Sequence, residues 1–421
     1  MASTLRKIIN DPVHGFITIN DPLVFEIIKH PFYQRLRRIQ QMAMAQLVYP
    51  GAVHTRLHHS LGAYHLMTIA IAELRDKGVE ITSEEAQAAK AAILLHDIGH
   101  GPYSHALEKV LLKGVHHEAV SLLIMQSLNA SDNPVLKGKL DLAIQIFTNQ
   151  YHKKFLHQLI SGQLDVDRLD YLSRDSFFTG VSEGVVGYER IIKMLTVHNN
   201  ELVVEEKGLN SVEKFLVSRR LMYWQVYRHK TVVASENMLV KIIERAQYLF
   251  QNNNKEVTTG SVLDYFLGNF DGQLVSIDLN AFCSLDDTDI LFAIKQWQKH
   301  KDPVLSLLCS RFLNRQIFKC FMQSNPIDDN QFKESREKVK AQFNLTEEEL
   351  SYLCFKGETS NTMYHSKEET IKILLKSGEI ANISAIQNAL INESLSAPVK
   401  KFYICWLNDS SPQKPLTHAS I

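Results

Sequence analysis

The chain is predicted to be mainly α-helical, with one small β-hairpin inside the helical part and a smaller α+β region at its C-terminal end. Three observations carry this. Apolar residues recur at spacings of three and four through most of the first 325 positions, the period of a helix with one buried face. The stretch MLTVHNNELVVEE alternates instead, about an Asn199-Asn200 pair that suits a tight hairpin turn. After about residue 325 the texture changes to charged helices followed by short β-branched runs. We therefore expect a helical domain over 1–325, with its chemical motifs at 34–230, and a smaller α+β region over 326–421.

Taken in order, residues 22–75 read as helices interrupted by a loop at Tyr49-Pro50-Gly51. The next helix opens at Thr82, where T-S-E-E supplies a capping box. It runs through AQAAKAAILLHD until Gly99, Gly101 and Pro102 stop it. His96 and Asp97 then stand at its C-terminal end. Helical periods continue over 117–129, 139–148, 153–176, 209–229 and 234–251. Beyond 325, SREKVKAQF and LTEEELSYL read as helices and IKILL, IANIS and KFYICWL as strands, while the tail SSPQKPLTHASI reads as flexible.

Composition narrows the function classes. The 46 basic residues match 46 acidic ones, so no overall charge draws the chain to nucleic acid or to an anionic membrane. Any polyanion must be met by a local pocket. No stretch approaches the roughly 18 apolar residues of a membrane span, and MASTLRKIINDPVHG lacks the apolar core of a signal peptide, so a cytoplasmic protein is expected. The five cysteines (Cys283, Cys309, Cys320, Cys354, Cys405) form no C-x-x-C pair and read as buried free thiols.

The chemistry concentrates in one place. Nine of the 18 histidines lie between His54 and His117, far more than even scatter would put there. Any one of them reads most simply as a hydrogen-bonded core residue, but clustering beside carboxylates suggests a metal site. In L-L-H-D-I-G-H-G-P-Y-S-H, His96 and Asp97 sit where a helix unwinds and can both turn toward one ion, with His100 about one turn on. A mixed nitrogen and oxygen donor set favours divalent Mn, Fe, Zn, Ni or Mg and suits phosphate ester hydrolysis.

The ordered set His59, His96-Asp97 and Asp167 resembles the signature of the HD phosphohydrolase superfamily. With QRLRRIQQ, HTRLHHSLG, HDIGHGPYSH, HHE, DVDRLDYLSRD and VYRHK, it is similar over about residues 8–250 to the deoxynucleoside triphosphate triphosphohydrolases of the SAM- and HD-domain type, without the SAM domain. The resemblance implies an HD-domain helical core and assigns the metal to His59, His96, Asp97 and Asp167. Catalytic support falls to His100, His105, His117 and Glu118. Arg56, Arg168, Tyr171, Arg219 and Lys230 would hold a triphosphate, Gln41 and Asp175 the sugar 3′-hydroxyl, and Met42 and Tyr227 the sugar face.

Helical spacing agrees with that grouping: at 100° per residue, Asp167, Arg168, Tyr171 and Asp175 share an arc of about 100°, and Arg219, Tyr223, Tyr227 and Lys230 one of about 80°. The implied reaction releases a deoxynucleoside and intact triphosphate. The implied assembly is a dimer or tetramer with a possible activating nucleotide. Lys29 departs from the pattern, since vertebrate members carry an acidic residue there at a guanine-reading activating site. The alternatives left open are an HD-type enzyme for a nucleoside monophosphate or a hyperphosphorylated guanosine, and a nucleotide-binding regulator. No Walker-type G-x-x-x-x-G-K-S/T and no H-E-x-x-H motif competes.

Overall fold

A computed structural model describes residues 5–361, 370–386 and 399–408, and the expected flexible tail lies outside them. Helix Arg56–Asp76 runs beside helix Ser83–Leu95, and this pair forms the centre of the core. The second helix is alanine-rich, with Ala86, Ala88, Ala89, Ala91 and Ala92 all buried. Small side chains around most of its circumference let neighbouring helices approach closely, and Ser83, Glu84, Gln87 and Lys90 take the one side that is not buried. Its start is the expected capping box: Glu85 N donates to Thr82 Oγ1 at 3.1 Å and Thr82 N to Glu85 Oε2 at 2.8 Å.

The helix expected over 153–176 is two. Lys154–Gln158 ends before the buried Asp165, which caps a new helix, Val166–Thr179, by accepting from Gly162 N at 2.8 Å and Arg168 N at 2.7 Å. A competing cap overrode the helical period here. Helix Leu209–Met222 passes into a π-turn at Tyr223–Tyr227 and breaks at Arg228, and helix Lys230–Gln251 begins four residues earlier than its pattern suggested. The stretch 279–313, given no element above, forms helices Leu279–Ser284, Asp287–Trp297 and Pro303–Leu313.

Two sheet features were also missed. The first is an N-terminal hairpin of Lys7–Asp11 against Gly15–Ile19. The second concerns the expected hairpin, Leu195–His198 with Glu201–Glu205, turned by Asn199 and Asn200 at φ 48° and 66°. It is half of a four-stranded sheet, because Glu201–Glu205 pairs in parallel with Lys372–Leu374, which pairs with Ile380–Asn382. Helices Asp329–Phe343 and Glu347–Leu353 form as expected. In the remaining sheet Val399–Trp406 lies between Lys319–Gln323 and Cys354–Asn361. Strand pairing thus joins the two parts that we propose at 325/326. Among the described residues no helix is long and apolar enough to cross a membrane.

One buried cation orders the loop after Asp97. Arg35 is fully buried, stacks on Phe282, and donates to Ile98 O at 2.8 Å, His100 O at 2.9 Å and Leu285 O at 3.0 Å. Those carbonyls would otherwise lack partners where a helix has ended.

Candidate metal centre and active site

Helix Ser83–Leu95 ends at His96, and the turn that follows lies backbone-to-backbone on helix His117–Asn129. A side chain at Gly99 would collide with His117 O and Ser121 N, which is why glycine stands there. Ser121 ties the turn down, its hydroxyl donating to His96 O at 2.7 Å and accepting from Gly99 N at 2.9 Å.

His59, His96 and Asp97 bring donor atoms to within 4.8 Å of one another. Asp167 completes the group, with Oδ1 at 3.0 Å from His59 Nε2 and 3.4 Å from His96 Nε2. Asp97 Oδ1 stands 3.4 Å from His96 Nε2, and its Oδ2 3.6 Å from His59 Nε2. Two ligands each about 2.0–2.2 Å from a shared ion lie about 2.8–3.6 Å apart at octahedral to tetrahedral angles, so the four residues fit a divalent cation.

Their orientation fits as well. His96 Nδ1 is 2.6 Å from Ile93 O, a group that only accepts, so the proton sits on Nδ1 and the Nε2 lone pair faces the centre. His59 Nδ1 likewise faces Asp170 Oδ2 at 2.7 Å. Burial opposes charge on His59, but Asp167 and Asp170 on its two sides raise it to about 10: the pocket draws positive charge to Nε2, which a proton or a cation supplies. Burial also opposes charge on Asp97, yet Arg56 in contact with it, then His96 and His100, hold its carboxyl well below the usual range.

Asp170 was not foreseen. Buried with its whole side chain, it also meets His14 Nε2 at 2.6 Å and accepts from Arg174 Nε at 3.0 Å and Nη2 at 2.9 Å. Arg174 Nη1 in turn donates to Asp11 at 2.8 Å, anchoring the N-terminal hairpin behind the metal cluster. Gly62 is required here, because any Cβ would strike the Asp170 carboxylate and the Arg174 guanidinium. The signal available was spacing: Asp167, Asp170 and Arg174 follow one another at three and four along one helix.

A second group adjoins the first. His100 Nε2 lies 3.3 Å from Asp97 Oδ1, and its ring stacks on His117 at 3.8 Å. His105 stands edge-on to both rings. The carboxylate present is Glu108, 2.8 Å from His117 Nδ1; Glu118 is exposed and makes no hydrogen bond or ion pair with the described residues. Burial and then Arg56 push His100 well below its ordinary value, so it is neutral at physiological pH.

The expected nucleotide residues divide. Tyr171 lies between His59 and Tyr227, with ring centroids 6.4 Å from each, and the Arg168 and Arg219 charges act on its phenol. Asp175 receives Tyr227 OH at 2.6 Å and faces His54 Nε2 at 2.7 Å. Met42 is buried nearby in the chain from Gln41, whose Oε1, like Arg219 Nη1, is buried without a hydrogen-bond partner among the described residues. Arg168 Nη1 stands 3.3 Å from Asp165. Arg56 is turned to Asp97 and to Ser104 Oγ at 2.9 Å, inside the metal cluster.

Lys230 does not share the face expected of it with Tyr223 and Tyr227, whose ring centroids lie 6.4 Å apart. The π-turn and the break at Arg228 end the helix on which that spacing rested, leaving Lys230 exposed at the start of the next. Tyr223 OH donates to Ser360 O at 2.9 Å.

The Asp170 carboxylate fixes the His59 tautomer, so Asp170→Asn is expected to weaken divalent-metal affinity by about 10- to 100-fold. Metal titration into the metal-stripped protein checks this; unchanged affinity would remove Asp170 from the metal site.

The family described as "HD domain" matches residues 56–175, and the "HD associated region" matches 186–261. The chain is 34% identical to the Bacillus subtilis protein YwfO over 407 residues, spanning 93% of this chain and 89% of that one. It is 29% identical to human deoxynucleoside triphosphate triphosphohydrolase SAMHD1, over 57% of this chain and 44% of that protein. A solved Bacteroides thetaiotaomicron phosphohydrolase superposes with a TM-score of 0.89 at 47% identity, covering 96% of this chain and all of that one. With this similarity along its length and the His-Asp cluster at its centre, the chain belongs to the HD-domain phosphohydrolase family.

Proposed function

We propose that this hydrolase cleaves deoxynucleoside triphosphates to a deoxynucleoside and intact triphosphate. The observation that carries the reading is a buried guanidinium nitrogen, Arg219 Nη1, without a partner among the described residues, whose charge acts on the Tyr171 and Tyr227 phenols beside the His-Asp cluster. Buried donors are otherwise hydrogen-bonded, so a cation left open in such a wall suits an anionic ligand. The 28% identity to chicken SAMHD1 supports the same substrate class, over 59% of this chain and 46% of that protein.

In this reading water attacks the α-phosphorus, the bond from phosphorus to the 5′-oxygen breaks, and that oxygen leaves with a proton. His59, His96, Asp97 and Asp167 would hold a divalent ion, which when bound would supply Lewis acidity at the phosphate. Arg56, Arg168 and Arg219 balance the phosphate charge, with Lys230 reaching in from the adjoining helix start. His100 and His117, the latter held by Glu108, orient the water, and His117 takes the proton it gives up; His105, which burial and then Arg56 hold down to about 4 and so neutral at the start, relays that proton from His117 to the leaving oxygen. Glu118 stays outside this step unless the surface rearranges. Gln41 Oε1, a buried acceptor in want of a donor, takes the 3′-hydroxyl together with Asp175. The direct test incubates the metal-loaded protein with each deoxynucleoside and ribonucleoside triphosphate and resolves products by anion exchange. Triphosphate is expected; release of orthophosphate or pyrophosphate from every nucleotide would favour a different HD-type substrate.

Met42 and the Tyr227 ring give an added 2′-hydroxyl no evident polar partner, since Tyr227 OH is already committed to Asp175. Burying that hydroxyl costs roughly 1–3 kcal/mol, so kcat/KM for dATP over ATP is expected to be about tenfold to a hundredfold. Equal turnover of the two would mean the sugar wall is misassigned. Arg219→Ala is expected to weaken triphosphates by about 1.5–3 kcal/mol more than monophosphates. Equal losses in kcat/KM for both classes would make Arg219 structural. We further propose a symmetric dimer or tetramer whose activity a nucleotide raises; light scattering that returns a monomer with and without nucleotide removes this part.

A further inference from the structure

Tyr103 and Ser104, in the loop between the metal ligands and His105, both adopt positive φ, 49° and 48°, without being glycine. Such a conformation is disfavoured for any residue with a Cβ and persists only where its surroundings over-determine it. What holds them comes from outside the HD segment. Asp287, 8% exposed and the first residue of helix Asp287–Trp297, accepts from Tyr103 N at 2.8 Å through Oδ1 and from Gln40 N at 2.8 Å through Oδ2.

These bonds close a ring around the site. Gln40 is bridged to Thr55, and Gln41 N donates to His54 O at 3.0 Å. Arg56 N donates to Ile39 O at 2.9 Å, and its guanidinium reaches Ser104 Oγ at 2.9 Å and the Asp97 carboxylate. Ser104 is bonded covalently to Tyr103, which returns to Asp287. One wall of the ring carries Gln41, the other leads to His105, and the side between them holds the arginine on the metal ligand. Arg56 links the walls through one backbone bond and one hydroxyl, and among the described residues the Asp287 carboxylate is the side chain that accepts from a backbone N–H of each wall.

We propose that Asp287 is a positioning residue, which clamps the Gln40–Gln41 wall to the Tyr103–Ser104 turn and thereby sets the spacing between the sugar-binding side and the His105 side of the site. One carboxylate serving two N–H donors must be ionised, because a protonated carboxyl turns one acceptor into a donor. Burial pushes Asp287 up to about 7, the two backbone N–H groups opposing. The charged and titratable groups that face it are Asp286 beside it, Arg56 from helix Arg56–Asp76, Arg35 from the turn 35–38, and the Tyr103 phenol; Arg38 is engaged by Asp286. The clamp is therefore complete above neutral pH and loses one bond below it.

The inference rests on the proposed hydrolysis for its kinetic readout alone. In Asp287→Asn, the amide keeps one acceptor and turns an N–H toward the other donor. The full-length, metal-loaded variant is expected to lose on the order of tenfold to a hundredfold in kcat for dATP with metal content by elemental analysis unchanged. The fall of the wild-type rate as pH drops through about 7 should be lost from its profile. Peptides containing Gln40 and Tyr103 should exchange amide hydrogen faster. Asp287→Glu, which keeps the charge but displaces it by one methylene, should recover the pH limb without the full rate, and carries the same test if the asparagine variant does not fold. Unchanged kcat and pH profile, or exchange at Gln40 and Tyr103 as slow as in the wild type, would overturn the clamp. A wild type that cleaves no deoxynucleotide would overturn the proposed function instead, and the exchange measurement alone would then decide Asp287.

Discussion

The rest of the structure depends on keeping one buried carboxylate satisfied. Asp170 is wholly enclosed, and an ion in such a place is tolerable only when every lone pair is met. Four donors meet it: His14, His59 and two nitrogens of Arg174. Each of those partners fixes something larger. Arg174 needs Asp11 to balance it, which brings the N-terminal hairpin to the back of the core. His59 is turned so that its other nitrogen faces Asp97 and Asp167. The glycine at position 62 follows from the same demand, since the helix must come close enough for the carboxylate to lie across it.

Much of this was legible before any coordinates. Apolar residues recurring at three and four marked helix 117–129 at the limits it adopts, and the capping residues Thr82 and Glu85 marked the start of the helix that delivers His96. That His59, His96, Asp97 and Asp167 converge was readable because a candidate metal centre admits few residue types. What escaped has a physical reason in each case. KIIND and GFITI are β-branched runs about a D-P-V-H-G turn, but five-residue strands give too short a period to stand out. Asp165 and the π-turn at Tyr223–Tyr227 interrupt helices through local hydrogen bonding that apolar spacing does not register.

The site residues that escaped share a different trait. Asp170, Glu108 and Asp287 do not face the reacting centre; they hold the residues that do, and their partners are backbone or imidazole groups that carry no distinctive spacing. The spacing that grouped Lys230 with Tyr227 errs in the opposite direction. Projecting a helix through Arg228 put that lysine on a face which exists only as far as the π-turn. Spacing rules hold within an element and lapse at its ends, so the reliable part of such a projection is the stretch from Asp167 to Asp175, all on one uninterrupted helix.

The parallel pairing of Glu201–Glu205 with Lys372–Leu374 bears on how the chain comes to be folded as it is made. All four side chains of the candidate metal centre have been synthesised by residue 167, and helices with local contacts form early. The hairpin at Asn199-Asn200 then waits for partners about 170 positions downstream, and its outer strand presents open N–H and C=O groups until they arrive. A nascent chain stalled between those points would thus hold a metal-binding core with an unfinished sheet edge. That edge is a surface to which chaperones, or other copies of the same segment, can add a strand, and it vanishes only when the last fifth of the protein leaves the ribosome.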